Sequence, residues 1–163
     1  MGLKAASLAL LLLISLSTAL PAAGSKHNAY LVRCEPEDCP IGLCDPGDFT
    51  LTAATYFATT VTPDATKVLT PDGTGKLSGY MPAFESATSK SVRVGRAGTF
   101  SWSIATTSKT LTKGSVAGTA TLGTEPFACF KDGTTKFSIR DDGDRYRCTA
   151  EYWCGSIDVA APA

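Results

Sequence analysis

Apolar and polar residues alternate over several short stretches of the chain, a period-two pattern that predicts β-strands. The clearest stretch is 99–106, where Phe100, Trp102 and Ile104 alternate with Thr99, Ser101 and Ser103. From Phe49 to Val61, the residues Phe49, Leu51, Ala53, Phe57 and Val61 fall on one side, with Thr50, Thr52, Thr60 and Thr62 mostly opposite. In 91–95, Val92 and Val94 share a face and Arg93 takes the other; in 115–122, Val116, Ala120 and Leu122 are expected inward. Lys76 to Met81 reads as a short strand that Pro82 ends. Turn signals such as Thr62-Pro63-Asp64 and Thr70-Pro71-Asp72-Gly73 separate these runs.

The stretch from Phe127 to Cys154 holds three of the six cysteines and reads as three short strands joined at Asp132-Gly133 and Asp142-Gly143. Glycine there supplies the positive φ of a tight turn. Phe127 and Cys129 share a face of the first strand, and Phe137 and Ile139 share a face of the second. On the third, strict alternation puts Tyr146, Cys148, Ala150, Tyr152 and Cys154 on one face, with Arg145, Arg147, Thr149, Glu151 and Trp153 on the other. About eight closely spaced strands without an amphipathic helix predict an all-β fold, an antiparallel sandwich or small barrel stabilised by disulfides.

The N-terminus follows a different pattern. Lys4 precedes the uncharged run Ala5 to Leu20, and small residues with Pro21 follow. That is the order of a secretory signal peptide, and the run is short of the roughly 20 residues a membrane span needs. Ser17 and Ala19 suit the cleavage site, which predicts a leader over 1–19, with cuts as late as 24 as the alternative. Residues 20–33 then read as a flexible arm carrying His27, 34–155 as one disulfide-bonded β domain, and 156–163 as a disordered tail. Within the domain, Pro36, Pro40 and Pro46 make Cys34 to Gly47 a loop rather than a helix. The processed protein is expected to be extracellular, with no membrane anchor.

All six cysteines, Cys34, Cys39, Cys44, Cys129, Cys148 and Cys154, follow the predicted leader in two groups of three. An even count in a secreted chain implies three disulfides. Three cysteines cannot pair only among themselves, so an odd number of bridges must join the groups. At least one bridge then closes a loop of around 100 residues, credited with about 4–5 kcal/mol by the chain-entropy model. A zinc site is disfavoured, because Cys34-x4-Cys39-x4-Cys44 is looser than the usual ligand pair and the single histidine lies upstream.

Charge excludes some partners. Removing Lys4 leaves fourteen basic against fifteen acidic side chains, so no overall field recruits nucleic acid or anionic lipid. Lys67, Lys76, Lys90, Arg93, Arg96, Lys109 and Lys113 make the middle of the chain moderately basic, which reads as a solvated face.

Chemistry is sparse. Relay catalysis needs a positioned imidazole, and His27 lies outside the patterned region. Glu151 with Arg145 and Arg147 is the nearest set to an acid–base site, and an ion pair along or across strands is the favoured account of it. Asp141, Asp142 and Asp144 lack the order of a calcium loop. No catalytic residue, cofactor or metal ligand is assigned. Trp153, with Arg147, Arg145 and Glu151, is the candidate binding surface, since tryptophan beside arginine often anchors a contact.

With its leader, its Thr/Gly/Ala-rich strands and the ending Cys129-Phe130-Lys131-Asp132-Gly133 … Cys148-Thr149-Ala150-Glu151-Tyr152-Trp153-Cys154, the chain resembles the small secreted cysteine-rich proteins of filamentous fungi, many of them candidate effectors. Cys44-x3-Asp48-Phe49 is loosely similar to the β-barrel family of the major Alternaria allergen. The resemblance implies a stable extracellular protein that acts by binding an extracellular protein of a host or competitor. A cell-wall or carbohydrate-binding module is the alternative, and a secreted hydrolase the third reading.

Overall fold

The computed structural model describes residues 25–37 and 51–157. The predicted leader, the loop holding Cys39 and Cys44, and residues 158–163 lie outside the described residues. The strands are β1 (Asn28–Pro36), β2 (Leu51–Phe57), β3 (Val68–Leu69), β4 (Gly73–Lys76), β5 (Lys90–Val94), β6 (Gly98–Ile104), β7 (Val116–Leu122), β8 (Glu125–Lys131), β9 (Lys136–Asp141) and β10 (Asp144–Ser156).

Eight of them form an antiparallel sheet in the order β4-β2-β1-β10-β8-β7-β6-β5. The sheet curls into a nearly closed barrel, the second of the two architectures that the alternation predicts. Closure depends on glycine. A Cβ on Gly73 would stand 2.3 Å from the Val94 carbonyl oxygen, and one on Gly75 would stand 2.6 Å from a Val92 methyl, so β4 can lie against β5 only with bare backbone.

Two cores result. The barrel interior holds Leu31, Ala54, Val94, Phe100, Trp102, Ile104, Leu122, Phe127 and Tyr152, together with the Cys129–Cys154 bridge. The second core lies on the outer face of β1, β2 and the first half of β10, where Tyr30, Val32, Ala53, Phe57 and Ala150 meet Phe137 and Ile139 of β9 around the Cys34–Cys148 bridge. Tyr30, Phe57 and Phe137 pack edge to face there, with ring centroids 5.3–6.3 Å apart. Both bridges join residues directly opposite on paired strands. Cys34–Cys148 spans 114 residues and is the long link between the cysteine groups that parity requires. By loop-closure entropy it contributes about 5 kcal/mol.

One bulge lets β10 serve both cores. Leu31 pairs with Tyr152 and Val32 with Ala150, so Glu151 is the extra residue. Cys148 and Ala150 therefore face the second core, while Tyr152 and Cys154 face the barrel interior. The single cysteine face expected from strict alternation is thus split, because a bulge resets the period by one residue.

The three-stranded meander is also corrected. β8 and β9 do not pair with each other; both pair with β10, end to end along one side. Between them Asp132 kinks the chain, accepting backbone hydrogen bonds from Thr134 and Thr135. Asp142-Gly143 does form the expected tight turn, with φ of 51° and 95°.

Further boundaries move. The described part of the expected arm is mostly β1, whose first five residues are buried because it is covered on both faces. Lys76 to Met81 is not a strand; β4 ends at Lys76 and residues 77–89 form a loop. Val116 is 68% exposed, since a register shift before Gly118 turns Ala117 inward instead. Ser156, placed in the tail by the sequence pattern, is the buried last residue of β10.

Candidate functional site

The barrel's two ends carry the polar side chains of its inner face. Where β1 ends, loop 77–89 crosses the mouth from β2, where the Leu77 N–H donates to the Thr52 carbonyl, to β6, where the Ser86 N–H donates to the Ile104 carbonyl. Its Phe84 points inward and is fully buried between Trp102 and Tyr152, at centroid distances of 6.4 and 6.3 Å. The Arg33 guanidinium lies 5.4 Å from the same ring.

Four side chains of the wall hold four consecutive residues of this loop. Arg33 Nη2 donates to the Pro82 carbonyl (3.2 Å), Lys90 Nζ to that of Ala83 (2.5 Å), Trp102 Nε1 to that of Phe84 (2.8 Å), and the Tyr152 hydroxyl to Glu85 Oε1 (2.6 Å). Burial, then the hydrogen bond and charge of Glu85, push the Tyr152 phenol well above its ordinary range, so it remains a donor. Lys131 Nζ sits 4.7 Å over the Tyr152 ring and 3.0 Å from Glu151 Oε2. Three buried atoms here have no hydrogen-bond partner: Arg33 Nη1, Thr52 Oγ1 and Glu85 Oε2.

Where β1 begins, the polar groups are joined to one another. His27 Nδ1 lies 2.7 Å from Glu125 Oε1, and the Ser156 hydroxyl donates to that same oxygen. The His27 ring meets Tyr56 edge-on at 5.9 Å. Burial, then the Glu125 and Asp72 carboxylates, push the Tyr56 phenol upward. His27, expected on a flexible arm, is instead held on the barrel rim by the strand that starts at Asn28. The trio is not a nucleophile relay, because Ser156 bonds the carboxylate rather than the ring nitrogen that would take its proton.

The candidate surface of Trp153, Arg147, Arg145 and Glu151 is dispersed by the bulge. Trp153 turns to the face of the second core, is half-buried, stacks on Phe130 at 5.3 Å and donates to Asn28 Oδ1 at 2.9 Å. Arg145 pairs with Glu37 at 2.9 Å. Glu151 pairs across strands with Lys131, while Arg147 alone is exposed. Lys76 bridges Asp141 (2.8 Å) and Asp142 (2.7 Å), which offsets part of the negative charge of the hairpin tip.

Sequence reasoning missed Arg33, Glu85 and Lys131 as neighbours because they lie on three separate segments with no shared motif. Phe84-Glu85, an aromatic–acid pair just after Pro82, is the one local signal of a plug. Compared with known protein families, with curated proteins and with solved structures, the chain matches none.

Proposed function

We propose that the chain is a secreted, non-enzymatic recognition protein, a disulfide-held barrel that presents loop 77–89 to an extracellular protein of a host or a competing microbe. The observation that carries this reading is the tip of that loop. Tyr80 is 77% exposed, and Met81 beside it is exposed with a φ of 41°. A left-handed conformation costs a non-glycine residue about 1–2 kcal/mol, and such strain persists where the surroundings fix it. Here the Pro82–Glu85 anchors fix it, so tyrosine and methionine are held out in a pre-organised form that loses little entropy on binding. The N-terminal leader pattern and the buried disulfides support secretion, and the resemblance to fungal effectors supports the kind of target.

The test is expression of the full chain through a secretory route, followed by capture of extracellular proteins on the oxidised product. A specific partner lost with Tyr80→Ala, while circular dichroism and disulfide mapping are unchanged, supports the proposal. Retention of every partner by that variant refutes the loop's role. Binding to wall polysaccharide is the second reading, favoured by the half-buried Phe130–Trp153 stack, with exposed Val116 opposite Phe130 on the neighbouring strand. Retention on chitin or glucan that Trp153→Ala abolishes and Tyr80→Ala leaves intact would establish it instead.

A further inference from the structure

The four donors at the plugged mouth share one property: every side-chain hydrogen bond they donate goes to an oxygen of Pro82, Ala83, Phe84 or Glu85. The donors come from β1, β5, β6 and β10, four of the eight strands of the wall. A run of four residues is thus held as a bound molecule is held, with an aromatic ring in a cage and an array of oxygens facing fixed donors. We propose that the mouth beneath loop 77–89 is a binding site for a small aromatic carboxylate, and that Phe84 and Glu85 occupy it as an internal stand-in, the ring for the ligand's ring and the carboxylate for its head group. The proposal does not rest on the reading of Tyr80 and needs no protein partner, but the two are coupled: a ligand that lifts Pro82–Glu85 releases the anchors that hold Tyr80 and Met81.

Charge favours an anion. With the loop lifted, Glu85 leaves with it, and Glu151, 4.0 Å from Arg33 and 3.0 Å from Lys131, is the one carboxylate among the described residues paired with Arg33, Lys90 and Lys131. An anion gains from such an excess of positive charge.

The stand-in is also an incomplete fit. Glu85 is only 9% exposed yet has one oxygen without a donor, while Arg33 Nη1 has no acceptor and buried Thr52 Oγ1 has no partner. Unsatisfied buried polar atoms are rare in folded proteins and destabilise the closed arrangement. A ligand carboxylate in place of that of Glu85 would keep the Tyr152 hydroxyl as donor to one oxygen, and, free of the loop backbone, its other oxygen could turn toward the unpartnered Arg33 and Thr52 of the wall. Residues 82–85 are held by side-chain bonds rather than by a strand ladder, so a ligand that takes over those donors can replace the segment without breaking the sheet.

The experiment uses the oxidised full chain with 3-phenylpropanoate, its neutral amide, acetate and the peptide acetyl-Pro-Ala-Phe-Glu-amide as probes, read by amide hydrogen exchange and by tryptophan fluorescence titration. The expected result is a saturable fluorescence change with 3-phenylpropanoate and faster exchange confined to 77–89, with little response to the amide or to acetate. Arg33→Gln should weaken half-saturation about tenfold, as loss of one charge-assisted hydrogen bond does. If that variant fails to fold, Thr52→Val serves in its place and should weaken binding less. No saturable response to the acid, or an equal response to its amide, overturns the proposal. A response to the peptide alone overturns it too and makes the mouth a peptide site.

Discussion

At the end of the barrel where β1 begins, His27 and Ser156 converge on one oxygen of Glu125. At the end where β1 finishes, a loop supplies a phenyl ring and oxygens to the wall and leaves Arg33 Nη1, Thr52 Oγ1 and Glu85 Oε2 without partners. Both ends exclude water from the same apolar interior, but only the first does so with groups that satisfy one another. Closure alone therefore does not explain the second arrangement. A rim closed by mutual hydrogen bonds is sufficient for a fold, whereas donors that reach a removable segment are what a site requires.

The largest expected effect comes from removing the plug. Phe84→Ala deletes a fully buried ring and should cost about 3–5 kcal/mol in denaturant unfolding, transfer and cavity terms combined. Hydrogen exchange should then accelerate across 77–89. A loss below about 1 kcal/mol would mean that the ring contributes little to the interior and that the contrast between the ends is overstated.

How much of this was legible depends on what each residue's signal spans. Phe100, Trp102 and Ile104 announced β6 because one face is buried and the other wet, so burial and sequence share a period. β1 gave no alternation, because Tyr30, Leu31 and Val32 are buried on opposite faces in two cores. An unbroken apolar run is the mark of a strand covered on both sides, and Tyr30-Leu31-Val32 ahead of Cys34 carried it. The Glu151 bulge left no trace in composition, and it alone decided that Trp153 and Arg147 part company. The mouth was illegible for a simpler reason. Arg33, Glu85 and Lys131 are brought together by strand order, which local patterns do not encode.

A second prediction addresses the satisfied end. Glu125→Ala leaves both His27 Nδ1 and the Ser156 hydroxyl without their acceptor, at a cost of about 2 kcal/mol. Exchange across 77–89 should stay as in the wild type, since the two ends are separated by the length of the barrel. Faster exchange in that loop would show that the ends act as one unit.

A smaller effect belongs to the kink beside the plugged mouth. Asp132 is opposed by burial, which alone would raise its pKa, but the hydrogen bonds of Thr135 and Thr134 and the Lys113 ammonium outweigh burial and hold the carboxyl below its usual range. A folded value below the unfolded one stabilises the protein at pH values above the unfolded pKa, and the contribution is lost as pH falls through the folded value. Stability should therefore fall on acidification below about pH 4. Asp132→Asn should flatten that limb and cost about 1 kcal/mol near neutrality. An unchanged acid limb would assign it to another carboxylate.

The smallest effect is the most discriminating, because its sign should reverse between the ends. Thr52 is buried and its hydroxyl has no partner. Valine has the same shape without the polar atom, so Thr52→Val removes an unpaid desolvation and should leave stability unchanged or raise it by up to about 1 kcal/mol. Ser156→Ala at the other end breaks a made hydrogen bond and should lower stability by about 1 kcal/mol. If Thr52→Val instead destabilises by a similar amount, its hydroxyl is bonded to a buried water, as isolated polar groups in folded proteins often are. The two ends would then be equally satisfied, and the unfilled donors of the mouth would no longer argue for a ligand; only the charge left when Glu85 departs would.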